Sequence, residues 1–88
     1  MVGVIKLFLR INCSKCPQAK QVGNGLKAEG FNVIEYDVET ADGLAEASFY
    51  SVQSTPTFIL EDREENHIAD FRGDVPALQQ IKELMAGA

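Results

Sequence analysis

Val4-Ile5-Lys6-Leu7-Phe8-Leu9-Arg10-Ile11-Asn12-Cys13-Ser14-Lys15-Cys16-Pro17 is the stretch on which the fold turns. Its first half is an almost unbroken apolar run, the pattern of a strand covered on both faces. Two cysteines follow directly, at the point where strand gives way to helix. From Ser14 to Glu29 the apolar residues Ala19, Val22 and Leu26, with Phe31 just beyond, recur at spacings of three to five and trace a helical stripe. Pro17 fits the first turn, where its missing N–H has no partner to lose, and Gly30 is a C-terminal stop. Gly23 and Gly25 lie inside this helix, each costing roughly 0.5–1 kcal/mol relative to alanine. Either the helix is weak or bent there, or a close neighbour needs the space.

The remaining elements follow from the same stretch outward. Phe31 to Val38 is rich in β-branched and aromatic residues and reads as a second strand. Thr40 or Asp42 caps a short helix over residues 42–50, with Leu44, Ala47 and Phe49 or Tyr50 turned inward. Thr55-Pro56-Thr57-Phe58-Ile59-Leu60 is a third strand entered through a proline. The polar turn Glu61 to Asn66 leads into a fourth strand, His67 to Arg72. A last helix runs from Val75 to about Met85, with Leu78, Ile81, Leu84 and Met85 as its stripe, Asp74 as N-cap and Pro76 in the first turn. The order is β-α-β-α-β-β-α. Strands joined by a helix are parallel with a right-handed crossover, and strands joined by a short turn are antiparallel. A four-stranded mixed sheet with helices on its faces meets both conditions. Phe8, Phe58 and Phe71 read as core, His67 as a surface strand residue, and Glu61, Asp62, Glu64 and Glu65 as a solvated hairpin turn.

At 88 residues the chain reads as one domain spanning 1–88, with a thin core. No stretch approaches the ~20 apolar residues of a membrane span. The opening residues are too short an apolar run, and too broken by charge, for a signal peptide. A cytoplasmic protein without membrane association is the expectation. The net charge of −5 argues against a nucleic-acid partner. Residues 1–30 hold Lys6, Arg10, Lys15, Lys20 and Lys27 against Glu29 alone, so basic charge gathers where the cysteines are. The simpler account is two solvated faces of unlike sign; the other is a bias toward a partner. Cys13 and Cys16 are the only cysteines. A disulfide closing so short a loop removes little chain entropy, and in a cytosolic chain a close pair more often does redox or metal chemistry. Spacing alone leaves structural, metal and redox readings open.

A strand, then Cys-x-x-Cys at a helix start, then Thr55-Pro56 before a later strand, resembles the thioredoxin superfamily from Val4 to Met85. Its size and element order make it most similar to glutaredoxins and small glutaredoxin-like thioredoxins. The resemblance implies an α/β thioredoxin fold with strand order second-first-third-fourth and helices on both faces. It implies a thiol–disulfide oxidoreductase that needs no cofactor and no metal beyond its own Cys13–Cys16 disulfide. Cys13 is then the attacking nucleophile and Cys16 the resolving thiol. Ser14, Lys15, Thr55, Pro56 and Gly73 border the substrate, with Pro56 in a cis peptide bond that leaves the Thr55 backbone free to pair with an extended segment. The chemistry agrees, since a thiolate is the nucleophile and a helix N-terminus favours negative charge. Lys15 and Arg10 are near enough in sequence to add to that field.

Departures from the family pattern narrow the partner. Asn12 stands where thioredoxins carry an aromatic residue, usually Trp, and Leu7 approximately where they bury a carboxylate. Cys-Ser-Lys-Cys and the single glycine of Phe71-Arg72-Gly73-Asp74 differ from the Cys-Pro-Tyr-Cys and Gly-Gly-Asp of glutathione-using glutaredoxins. A monomer that reduces protein disulfides and is itself reduced by a flavin-dependent thioredoxin-type reductase is the expectation, with glutathione as the alternative donor. A metal module sharing the cysteine pair across a dimer, and a redox-inactive adaptor on the same scaffold, are the other classes. Metal at stoichiometry without disulfide reduction is the observation that separates the first of these from the redox reading.

Overall fold

Ile5 and Leu7 point to one side of the first strand and Phe8 to the other, and all three are fully buried. The computed structural model describes residues 3–86. Its elements are β1 (Gly3–Leu9), α1 (Cys16–Ala28), β2 (Asn32–Asp37), α2 (Ala41–Phe49), β3 (Thr57–Asp62), β4 (His67–Arg72) and α3 (Leu78–Met85). The sheet order is β2-β1-β3-β4. β1 and β2 are parallel, with Leu7 opposite Glu35, and β3 lies antiparallel to both β1 and β4. Ile5, Leu7, Phe58 and Leu60 pack against Ala19 and Leu26 of α1 and Ile81 and Met85 of α3. On the opposite face Phe8 and Ile59 pack against Ala47 of α2, and the Phe8 ring stacks on Tyr36 with centroids 5.2 Å apart. This is the thioredoxin fold, in the element order read from the sequence and the strand order that the resemblance implies.

Gly23 owes its place to packing. A Cβ built on it lies 3.0 Å from Leu7 Cδ2, so α1 sits directly on β1 at that point. Gly25 faces Leu78 of α3 at 3.5 Å, an ordinary contact. Gly30 has φ +93° and ends α1, its N–H bonded to Lys27 O while Phe31 N–H reaches back to Leu26 O. Thr40 caps α2 by accepting from Gly43 N–H at 3.0 Å.

Several local expectations are corrected. α1 begins at Cys16, two residues after Ser14. α3 begins at Leu78 with Ala77 as N-cap, not at Val75. A residue before proline is pushed out of helical geometry, so Val75-Pro76 stays outside the helix and Asp74 only accepts from the neighbouring Val75 N–H. Leu44 and Phe49 are 58% and 78% exposed rather than inward; Ala47 and Tyr50 take the inner face of α2. Leu84 is 38% exposed, because Leu78, Ile81 and Met85 already fill the face of α3 against the sheet.

The third strand runs Thr57–Asp62, not Thr55–Leu60, and this brings Glu61 into the sheet. Glu61 is 4% exposed, so it is no part of a solvated turn. Tyr50 Oη donates to Glu61 Oε2 at 2.6 Å, and Lys6 Nζ donates to Tyr50 Oη at 2.7 Å. Lys6 Nζ also lies 3.7 Å from Glu61 Oε1 and 3.5 Å from Glu46 Oε1. Paired and hydrogen-bonded in this way, the carboxylate tolerates burial between α2 and the sheet.

Candidate functional site

β1 ends at Leu9 and delivers the chain, through an exposed turn from Arg10 to Asn12, to the cysteine pair. Cys13 is half-buried in the turn, and Cys16 is the first residue of α1 and 6% exposed. The two are joined by a disulfide with Cα atoms 5.3 Å apart. Cys16 N–H donates to Cys13 O at 3.3 Å, closing the loop. Ser14 and Lys15 lie exposed between them. The first turn of α1 carries no acidic side chain, and its N-cap, Lys15, makes no side-chain capping bond. The first backbone N–H groups and the positive end of the helix dipole therefore keep their pull for an anion at this end.

The sheet register brings the second segment in. Phe8 lies opposite Thr57, and Thr57 opposite Arg72, so the residues just before β3 and just after β4 flank the cysteine end of β1. The Thr55–Pro56 peptide bond is cis. Pro56 is fully buried, and its carbonyl accepts from Gly73 N–H at 2.7 Å. Gly73 has φ +74°, which an L side chain adopts at a cost, and Lys15 Nζ reaches Gly73 O at 3.5 Å. Lys15, Pro56 and Gly73, far apart in sequence, form one hydrogen-bonded rim. Thr55 is half-buried and its Oγ1, turned inward, has no hydrogen-bond partner.

On the other side of the disulfide, between α1 and the end of β2, is a hollow of about 480 Å³. Leu9, Arg10, Cys16, Pro17, Lys20 and Glu35 contribute to its wall. Sequence reading placed Arg10 near the cysteines but treated Glu35 as an ordinary strand residue. The usable signal was the parallel pairing of the first two strands, which sets Glu35 beside Leu7 under α1. His67 stays on the far strand, paired with Asp70 at 2.9 Å. Among the described residues no three His, Cys, Asp or Glu side chains are grouped to hold a metal ion.

The chain's two cysteines are the groups at this end of the sheet that can reversibly give up and regain an electron pair, and they define a thiol–disulfide protein. The family described as "Thioredoxin domain" matches residues 4–86. A probable thioredoxin from Archaeoglobus fulgidus is 33% identical over 61 residues, which cover 68% of this chain and 67% of that one. The chain belongs to the thioredoxin family, whose redox group is the protein's own disulfide. Among solved structures, thioredoxin-2 of the malaria parasite, described as a component of its protein secretion machinery, superposes with a TM-score of 0.82 at 18% identity, covering 98% of this chain and 82% of that one. A thioredoxin point mutant from Halobacterium salinarum does so with a TM-score of 0.82 at 22% identity, covering 97% and 73%. At those identities the likeness is one of fold. No helix among the described residues is long and apolar enough to cross a membrane.

Proposed function

We propose that this protein reduces disulfides in other proteins, with Cys13 as nucleophile and Cys16 as resolving thiol. The observation that carries this reading is the asymmetry of the pair: Cys13 is reachable from outside while Cys16 is 6% exposed. The Cys13 thiolate, favoured by the uncapped start of α1, attacks a substrate sulfur and forms a mixed disulfide. Cys16 then attacks Cys13 Sγ, closes the disulfide and releases the reduced substrate. The Thr55 backbone beside cis-Pro56 pairs with the substrate segment, bounded by Ser14, Lys15 and Gly73. A thioredoxin-type reductase returns the electrons, and the protein works as a monomer in the cytoplasm, where thiols are kept reduced.

The test is reduction of insulin disulfides by dithiothreitol with and without the protein. Wild type accelerates it and Cys13→Ser does not; no acceleration by wild type overturns the reading. Supplying either thioredoxin reductase with its nicotinamide cofactor, or glutathione with its reductase, identifies the donor. Turnover with glutathione alone removes the reductase from the proposal.

A further inference from the structure

The basic charge that gathers early in the sequence is divided by the fold into two groups. Lys6 pairs with Glu46 and Glu61, and Lys27 with Glu35; later in the chain Arg72 pairs with Asp70 and Lys82 with Glu29. Among the described residues Arg10, Lys15, Lys20 and Arg63 form no ion pair. Arg63 lies in the turn between β3 and β4, at the opposite end of β3 from Pro56. The other three surround the disulfide. Lys15 sits between the cysteines, with its ammonium at Gly73 O. Arg10 and Lys20 are exposed and border the hollow that Cys16 also lines. In a chain of net charge −5, the cations without an acidic partner thus collect mainly at the cysteine end.

The hollow has a mixed wall. Leu9, Ile11 and Pro17 give it apolar surface, and Ile11, 81% exposed, is the barest large apolar side chain among the described residues. Two carboxylates also reach it. Glu35 is offset by Lys27 Nζ at 3.3 Å. Asp37 stands exposed at the end of β2, accepting from Glu39 N–H at 2.9 Å, and so opposes two cations alone. On the Lys15 side the nearby acid is Asp74, next to Gly73 and bonded to Val75 N–H. Arg10 also lines a second, smaller hollow that Thr55 borders. A segment laid along the Thr55 backbone therefore passes Arg10.

We infer that Arg10 and Lys20 select protein segments that carry Asp or Glu beside the disulfide to be reduced, with an apolar neighbour against Ile11. This rests on the disulfide-reducing reading above and gives it a substrate class. Arg10 offers a carboxylate a fork of donors, and Lys20 a compact point charge. Exposed cations at a rim speed encounter more than they tighten a complex, so the preference appears in the second-order rate constant. A nucleic acid fits this surface less well. Thirteen acidic residues against eight basic ones repel a long polyanion everywhere except at this end.

The test uses disulfide-closed peptides of one sequence, sharing an apolar residue and carrying paired Asp, Asn or Lys beside the first cysteine. The reduced protein is mixed with each, quenched in acid and alkylated, and its oxidation is followed by mass. At about 0.1 M salt, where charges are screened beyond ~10 Å, wild type reduces the Asp peptide faster than the Lys peptide. The expected ratio is about tenfold, each exposed pair contributing up to about fivefold. It falls toward one in about 1 M salt, where the screening length is ~3 Å. Arg10→Gln combined with Lys20→Gln brings it within about twofold of one, and Arg10→Glu combined with Lys20→Glu inverts it. The Asn peptide gives each variant its own reference, so any common change in Cys13 reactivity cancels. Arg63→Gln, which removes a charge from the far turn, keeps the wild-type ratio. A ratio near one in wild type, or one that survives in the double glutamine variant, overturns the inference while the disulfide-reducing reading stands. If wild type reduces none of the peptides, both fall. A low-salt dimer, or retention on a single-stranded DNA oligonucleotide, that is lost in the double glutamine variant gives these cations to another occupant and also overturns it.

Discussion

Leu7 and Gly23 meet where α1 crosses the first strand: a Cβ on Gly23 would stand 3.0 Å from Leu7 Cδ2. Leu7 is fully buried and has little room to yield. Gly23→Ala gains up to ~1 kcal/mol of helix propensity and loses about 1–3 kcal/mol to overpacking. The expected net effect is a loss. Gly25→Ala meets Leu78 at an ordinary 3.5 Å and keeps the propensity gain. Thermal unfolding therefore ranks Gly25→Ala above wild type and Gly23→Ala below it, the two separated by several degrees, since each kcal/mol moves Tm by about 4–8 °C in a domain of this size. A Gly23→Ala protein as stable as Gly25→Ala removes the close-approach explanation.

Tyr50→Phe tests the polar bridge under α2. The ring, with its packing against Phe8 and Phe49, remains, but Glu61 loses its 2.6 Å donor and Lys6 its 2.7 Å acceptor. Leaving a buried carboxylate short of a partner costs about 1–3 kcal/mol, read as a lower midpoint in urea with unchanged slope. The bridge also shapes the alkaline limb. Burial alone lowers the Lys6 pKa, but the Tyr50 hydrogen bond and the charges of Glu61, Tyr50 and Glu46 together raise it above 10.5. A base whose folded pKa is raised stabilises fully below its unfolded pKa and loses that contribution as pH rises through the folded one. The advantage of wild type over Lys6→Met is therefore full at neutral pH and shrinks as pH rises above 10.5, so wild type loses more of its own neutral-pH stability in alkali than Lys6→Met does.

Glu61 also shows where sequence reading stops. The element order, the cysteine pair at the head of a helix and the proline before β3 were legible because each depends on a local pattern or a short-range connection rule, whereas the strand order came from the family resemblance. Glu61 sits in the run Glu61-Asp62-Arg63-Glu64-Glu65, which alone reads as solvated. Its burial depends on Lys6 and Tyr50, which only the fold brings together. The same holds for the hollow, whose wall Glu35 joins through the pairing of β2 with β1. Leu44 and Phe49 misled for another reason: a nine-residue helix rich in small residues allows its apolar face to be drawn in more than one direction.

Asp70 supplies an acid-limb prediction. Its carboxyl is held below the ordinary 3.8, first by the hydrogen bond from His67, against the effect of burial, and then by Arg72. An acid with a depressed folded pKa stabilises above its unfolded value and loses that contribution as pH falls through the folded one. Asp70→Asn is expected to lower Tm at about pH 5 and above, with the difference closing below 3.8. A gap that persists at acid pH points to loss of geometry around His67 and Arg72 instead of loss of charge.

Gly73 joins the backbone of the cis-proline loop to the cysteine loop, donating to Pro56 O at 2.7 Å and accepting from Lys15 Nζ at 3.5 Å. With φ at +74°, an L residue there costs roughly 1–2 kcal/mol, and its Cβ would press on Ser54 Oγ at 3.3 Å. Gly73→Ala is expected to loosen the rim beside Pro56, lowering Tm and slowing reduction of a protein disulfide more than that of a small aromatic one. On the proposed reading the small probe needs Cys13 alone, while the protein segment needs the Thr55 backbone held in place. Lys15→Gln separates charge from backbone. The ammonium is exposed, so its pull on the Cys13 thiolate is screened and worth at most about 1 kcal/mol. Alkylation of reduced Cys13 by iodoacetamide then slows by no more than about fivefold, and the preference between the two disulfides stays unchanged. Equal losses on both probes in Gly73→Ala would show that the rim supports the cysteines themselves, not the substrate segment.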